Sequence, residues 1–149
     1  MSLYYYINMK LQLEIITLEK TVYSGDVDRV SIPTKMGEIT ILPNHIPLVS
    51  ALGVGELRAV AGNDMISMAV VGGFTEISPG KVVVMADTAE MAEELQEEKI
   101  KVAKERVEEL IKKYPKESDE YSVLSERLEN ELAKLKLVEQ FKDKKRRKV

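Results

Sequence analysis

A break in composition near residue 90 divides this 149-residue chain into two parts that cannot share one architecture. Residues 1–90 hold 6 Lys or Arg and 10 Asp or Glu, whereas residues 91–149 hold 16 and 15. The second part has no glycine, and Pro115 is its only proline. Short apolar runs punctuated by Gly and Pro read as strands, and a dense Gly-free run of charge reads as helix. The expected class is β plus α: an N-terminal flattened β-sandwich or barrel of about eight to ten short strands, then a C-terminal antiparallel α-helical hairpin. The division expected is an extension at 1–8, a β-sandwich at 9–88, a hairpin at 89–141 and a basic tail at 142–149. Such a shape suits gripping a partner and reaching along it, rather than enclosing a substrate.

Leu11, Leu13 and Ile15 alternate with Gln12 and Glu14, the period of a half-buried strand. Further strands are expected at 27–32 (stopped by Pro33), 39–42, 48–52, 56–61, 65–71 and 82–86. Gly62-Asn63 reads as a hairpin turn, and Ser78-Pro79-Gly80-Lys81 as a second turn. Gly72-Gly73 lies between strand patterns with no helix after it, so a bulge or a close backbone approach is expected rather than a phosphate loop. In the second part Ile100, Ala103, Val107, Leu110 and Tyr114 form one helical seam, and Leu124, Leu128, Leu132, Leu135 and Val138 another. Pro115 separates them, and Ser118, Asp119 and Glu120 suit the start of the second helix. Two narrow seams bury little area, so the hairpin is expected to be weakly held.

Enzyme chemistry finds little support. Cysteine is absent and His45 is the sole histidine, which excludes thiol catalysis and histidine-rich metal sites. Between two prolines, His45 reads first as a satisfied loop residue. There is no G-x-S-x-G elbow and no P-loop, and no cofactor is expected. A net charge of -3 gives no overall pull toward nucleic acid or anionic lipid. No run approaches the roughly 20 consecutive apolar residues of a membrane span, since uncharged stretches are broken by proline, glycine and polar residues. Residues 1–8 lack the basic start of a signal peptide and are expected to be a mobile extension. A lipoyl-like carrier built on Thr34-Lys35-Met36 matches poorly, and a nucleic-acid module lacks aromatics among its basic residues apart from Phe141.

Four segments stand in a telling order: Val22-Tyr23-Ser24-Gly25; Gly37-Glu38-Ile39-Thr40-Ile41-Leu42-Pro43-Asn44-His45-Ile46-Pro47-Leu48; Val71-Gly72-Gly73-Phe74-Thr75-Glu76-Ile77; and Val82-Val83-Val84-Met85-Ala86-Asp87-Thr88-Ala89. Followed by a helical hairpin, they resemble the epsilon subunit of F-type (rotary) ATP synthase from about residue 10 to residue 140. The chain departs at Thr40 and Asn44, where the family commonly has glycine; Asn tolerates left-handed backbone, and Thr40 suits an ordinary strand.

The resemblance implies a non-catalytic rotor subunit of the central stalk. Its partners would be the gamma subunit and the ring of c subunits, with transient contact to the catalytic beta and alpha subunits. Attachment to the cytoplasmic face of the bacterial plasma membrane would come through the complex. The hairpin would be able to extend into the catalytic head and block ATP hydrolysis. By the same resemblance Glu38, Pro43, Asn44, His45 and Pro47 would face the ring. The tail of Lys142, Lys144, Lys145, Arg146, Arg147 and Lys148 would meet acidic helices of the head. Some bacterial members bind ATP on the hairpin through an [IL]-D-x-x-R-A motif and further arginines. Here Gln96 and Lys99 replace the Asp and Arg, Arg106 matches, and Asn130 and Lys134 stand where two more Arg are expected. Lysine lacks the planar fork that grips phosphate, so weak or no ATP binding is expected.

Overall fold

The computed structural model describes Leu3 and residues 8–147. Most of the expected 1–8 extension, and Lys148 of the basic tail, therefore lie outside the described residues. The chain divides into two compact units, Met1–Glu93 and Glu94–Val149.

Among the described residues the first unit contains eight strands: β1 (Leu11–Ile16), β2 (Thr21–Val27), β3 (Arg29–Thr34), β4 (Gly37–Ile41), β5 (Leu48–Ala51), β6 (Val54–Ala61), β7 (Asp64–Ser78) and β8 (Lys81–Met91). They hydrogen-bond in the order β2-β1-β8-β7-β6-β3-β4, with β5 also on β7. The parallel β1–β8 pair joins the first strand to the last. All other pairs are antiparallel.

The folding-over of this sheet is visible in side-chain parity. On β7 the fully buried large side chains Met68 and Val70 are even, with the small Ala69 between them also covered, whereas beyond the glycines the buried Thr75 and Ile77 are odd. On β8 the buried positions Val82, Val84 and Ala86 give way to Ala89. Both switches fall beside Gly72-Gly73, at φ 62 and 105. β7 makes the change through left-handed backbone that L-residues avoid and glycine supplies, while β8 follows beside it with no residue at positive φ. The register does not slip there, because Val71 faces Thr88 and Gly73 faces Ala86. Gly72-Gly73 is thus a close approach rather than a bulge. The first half of β7 pairs with β6 and the second with β5, so one long hairpin serves both layers of the sandwich.

The alternation of β1 holds: Leu11, Leu13 and Ile15 are fully buried, with Val27, Val30, Ile32, Ile41, Leu52, Leu57, Met68, Val70, Ile77, Val82 and Val84 around them. Each such side chain contributes about 1.5–3 kcal/mol by leaving water. The buried Thr75 is satisfied by donating its hydroxyl to the Val83 carbonyl at 3.1 Å.

Several strand boundaries differ from the sequence expectation. The segment expected as one strand at 27–32 is a corner, where β2 ends at Val27 and β3 begins at Arg29. Pro33 does not stop β3. It is tolerated because β6 pairs with β3 only through Arg29–Ser31, and its carbonyl accepts from Gly53 N. β8 runs on to Met91, opposite Met68, rather than ending at Ala86.

A 3-10 turn (Ala92–Glu94) spans the boundary between the units, and the second unit holds α1 (Glu97–Ile111) and α2 (Asp119–Arg147). Ser118 caps α2 by accepting from the Tyr121 amide at 3.2 Å, and Asp119 and Glu120 occupy the positive end of its dipole. The seams differ from those expected. Leu132 is 45% exposed, and Leu110 and Tyr114 are each about 40% exposed. The covered positions of α2 include Leu124, Leu128, Glu131, Leu135 and Val138, which follow an alternation of four and three residues. Glu131 takes the place assigned to Leu132, and Lys134 lies 3.8 Å from it in an ion pair. Helix packing follows the mean repeat of 3.5, so a run of leucines at steps of four drifts off the contact line.

Candidate functional site

The two outer faces of the sandwich have opposite character. On the first, cross-strand register aligns Ile16, Met85, Phe74 and Ala51 in one row over β1, β8, β7 and β5. Val49 and Val83 lie in the next row, on either side of Glu76. Phe74 is 57% exposed and Val49 67%, a contiguous apolar strip of the kind that marks a protein-binding surface. The positions were readable as apolar residues in the outward phase of alternating strands. Their alignment into one row was not, because it depends on the register of four strands.

On the second face a group of outward polar residues is tied together, with Val54 and Met65 exposed at its margins. Arg58 Nη2 donates to Glu38 Oε1 at 2.7 Å, the Ser31 and Thr40 hydroxyls lie 2.9 Å apart, and Ser67 Oγ donates to Glu56 Oε1 at 2.6 Å. Glu38 is an exposed strand residue on β4, ion-paired to Arg58. Thr40 is likewise an ordinary strand residue. Pro43, Asn44, His45 and Pro47 follow β4 at its far end, so the strand separates them from Glu38 by about 10 Å or more. Asn44 takes the left-handed backbone, φ 67, and its amide donates to the Pro79 carbonyl at 2.6 Å, fastening the loop to the β7–β8 turn. His45 is half-buried and donates from Nδ1 to the Ile46 carbonyl at 2.6 Å. Beside it Leu42 and Ile46 are 57% and 75% exposed.

A further tie holds the sandwich corner. The Asp28 carboxylate accepts from the Lys10 ammonium and, at 2.7 Å, from the Gly62 amide in the β6–β7 turn. These bonds, that of Lys10 foremost, hold Asp28 below the ordinary carboxylate range.

In the hairpin, Lys142 of the basic tail is ion-paired to Glu97 at the start of α1. Lys101 reaches the same carboxylate at 3.2 Å. The Lys142 hydrogen bond, then that of Lys101, lowers the pKa of Glu97. Lys145 sits 5.2 Å from the centre of the Phe141 ring. Lys144, Arg146 and Arg147 are exposed in the last turn, where positive charge suits the helix dipole. Of the positions matching the nucleotide motif, Gln96, Lys99 and Arg106 are exposed along α1, and Asn130 and Lys134 lie half-buried on α2. From Gln96 to Arg106 the helix rises about 15 Å, so these side chains line a length of the hairpin rather than one point. A cavity of about 380 Å³ at the hairpin turn is lined by Leu110, Tyr114, Asp119, Glu120, Val123 and Leu124. No cluster of His, Asp and Glu suited to a metal ion occurs among the described residues. Sequence reasoning missed Arg58 and Glu97, since an ion-pair partner across a sheet or hairpin leaves no local pattern.

The beta-sandwich domain model of the ATP synthase delta/epsilon chain matches residues 10–92, which include all eight strands. The chain belongs to the ATP synthase epsilon family. It is 48% identical over 99 residues to the ATP synthase epsilon chain of Dehalococcoides mccartyi, covering 66% of this chain and 71% of that one. With that of Desulforamulus reducens it shares 44% over 108 residues, covering 72% and 82%. With that of Halalkalibacterium halodurans it shares 40% over 111 residues, covering 74% and 84%. In fold it resembles a chain of the Euglena gracilis mitochondrial ATP synthase, OSCP/F1/c-ring, at a TM-score of 0.72 and 22% identity, over 85% of this chain and 80% of that chain. The sequence expectations of an epsilon-type chain and of a β-sandwich followed by a helix pair both hold.

Proposed function

We propose that this epsilon-family chain is a non-catalytic rotor subunit of the central stalk, carrying torque between proton passage and ATP synthesis. The observation that carries the reading is the family match across every strand of the sandwich, residues 10–92. The apolar row of Ile16, Met85, Phe74 and Ala51 supports a seat on the gamma subunit, since such a strip is costly to leave in water. Glu38, with the loop of Pro43, Asn44, His45 and Pro47, faces the polar loops of the c ring. Among the described residues no helix is long and apolar enough to cross a membrane. Attachment to the cytoplasmic face of the bacterial plasma membrane is then peripheral and made by the complex.

The sandwich, through Met91 at the end of β8, is the seat in this reading, and α1 and α2 with the basic tail are an arm. The arm makes transient contact with the catalytic beta and alpha subunits and restrains ATP hydrolysis. The described basic residues Lys142, Lys144, Lys145, Arg146 and Arg147 give it charge complementary to acidic helices. The arm binds ATP weakly or not at all.

Co-purification with gamma tests the seat. Deleting residues 94–149 in the assembled synthase tests the arm and spares Met91, which pairs with Met68. ATP synthesis should persist and ATP hydrolysis should rise; unchanged hydrolysis removes the arm from the mechanism.

A further inference from the structure

Arg58 and Glu38 lie 20 residues apart and meet across β3 on the polar outer face. Ser31 of β3 stands opposite Thr40 on one side and Arg58 on the other, and Glu38 lies two pairs further along on the same face, opposite Pro33. The guanidinium therefore reaches diagonally over β3 to the carboxylate. Its backbone is fixed on both sides, between Ser31 and Ser67, in an interior strand. Glu38 belongs to edge strand β4, beside the exposed turn at Lys35 and Met36. A firmly placed cation thus holds a carboxylate on the more yielding strand.

We propose that Arg58 is the positioning residue of the Glu38 contact with the c ring. The inference rests on the ring-facing reading of Glu38. Arg58 Nη2 occupies Oε1 and leaves Oε2 for a hydrogen-bond donor of the partner. Glutamate is rotamer-rich, and one held before the encounter loses less freedom on binding. The guanidinium also cancels the carboxylate charge, so the surface meets its partner as a neutral, strongly polar pair. Partner chemistry follows from this: a polar loop offering an amide or cationic donor to Oε2.

The test uses the full-length chain in complex with gamma, binding to purified c ring by surface plasmon resonance. E38Q and R58Q should each weaken binding about two- to fivefold, the scale of an exposed charge pair. The E38Q/R58Q double variant should bind no more weakly than E38Q, because Arg58 acts only through Glu38. The exchange E38R/R58E remakes the ion pair and should keep the melting midpoint near that of the native chain, yet leave ring binding weak, since a cation now faces outward. If E38Q is weakened while R58Q binds normally, or if the two losses add, Arg58 does not position Glu38 and the ring reading survives. If the exchange restores ring binding, the pair is only structural and the proposal fails. If E38Q binds normally, the ring-facing reading of Glu38 fails, and the proposal with it.

Discussion

Replacing Gly73 with alanine attacks the point at which the β7–β8 hairpin changes layer. Two penalties arise. At φ 105 an L-residue is strained whatever space surrounds it, which costs about 1–3 kcal/mol. The new Cβ would also fall on the Met85 carbonyl oxygen and lie 3.0 Å from the Ala86 Cα, both backbone atoms. Relief requires β8 to move by on the order of 1 Å, since contact between such atoms becomes favourable only near 3.5 Å. Met85 is paired with Ile16 on one side and Phe74 on the other. That movement sacrifices one or two ladder hydrogen bonds, each about 0.5–1.5 kcal/mol. The sum is about 2–6 kcal/mol against a domain stability of roughly 5–15 kcal/mol. A melting midpoint lower by about 10 °C or more follows for a unit of this size. Gly80→Ala is the control: it has open space and no left-handed backbone, so it should change stability by less than about 1 kcal/mol. Urea unfolding followed by amide exchange in β7 and β8 isolates the sandwich from the helices. If Gly73→Ala proves as stable as Gly80→Ala, the account of the corner is wrong.

Asp28→Asn should lower the melting midpoint of the sandwich by weakening the Lys10 and Gly62 ties. Because the folded pKa of Asp28 is depressed from 3.8, this contribution is complete above the unfolded value and fades as pH falls through the lowered one. The gap between native and variant midpoints should therefore be widest near neutrality and shrink below about pH 4; a gap that grows in acid contradicts the assignment. Glu97→Gln should speed amide exchange at the start of α1 and around Lys142, with the same pH sign, and leave the hairpin turn unaffected. Unchanged exchange at both places would show that the ion pair does not hold the open end of the hairpin. Calorimetry of the full chain with MgATP should give no binding at micromolar concentration, whereas a micromolar Kd would show that Lys99, Arg106 and Lys134 still assemble a site.

Much of the architecture was legible because it rests on local patterns. Alternation placed β1, and Gly62-Asn63 placed the β6–β7 turn, where Gly62 takes φ 64. Pro115 and Ser118 placed the break and the cap between the helices. Where pattern reading failed, a partner decided. Pro33 stays within β3 because the adjoining strand has already diverged, and β8 is prolonged to Met91 because β7 remains beside it. Leu132 looked like a seam residue, but the contact line of the paired helices passes through Glu131 instead. The surfaces were harder still. Glu38 and His45 could be named, whereas the ion pair of one and the backbone-bound ring of the other appear only in three dimensions.

The sequence by itself determined the division near residue 90, the β and α character of the two parts and the family they belong to, because periodicity, turn residues and ordered motifs are properties of neighbouring positions. Tertiary structure alone decided that Ile16, Met85, Phe74 and Ala51 form one apolar row. It likewise brought Arg58 to Glu38 and Lys142 to Glu97. The physical reason is that strand register and helix phase are fixed by the packing of the whole core. A shift of one residue in any strand would turn its side chains to the other face and dissolve those surfaces without changing a single local pattern.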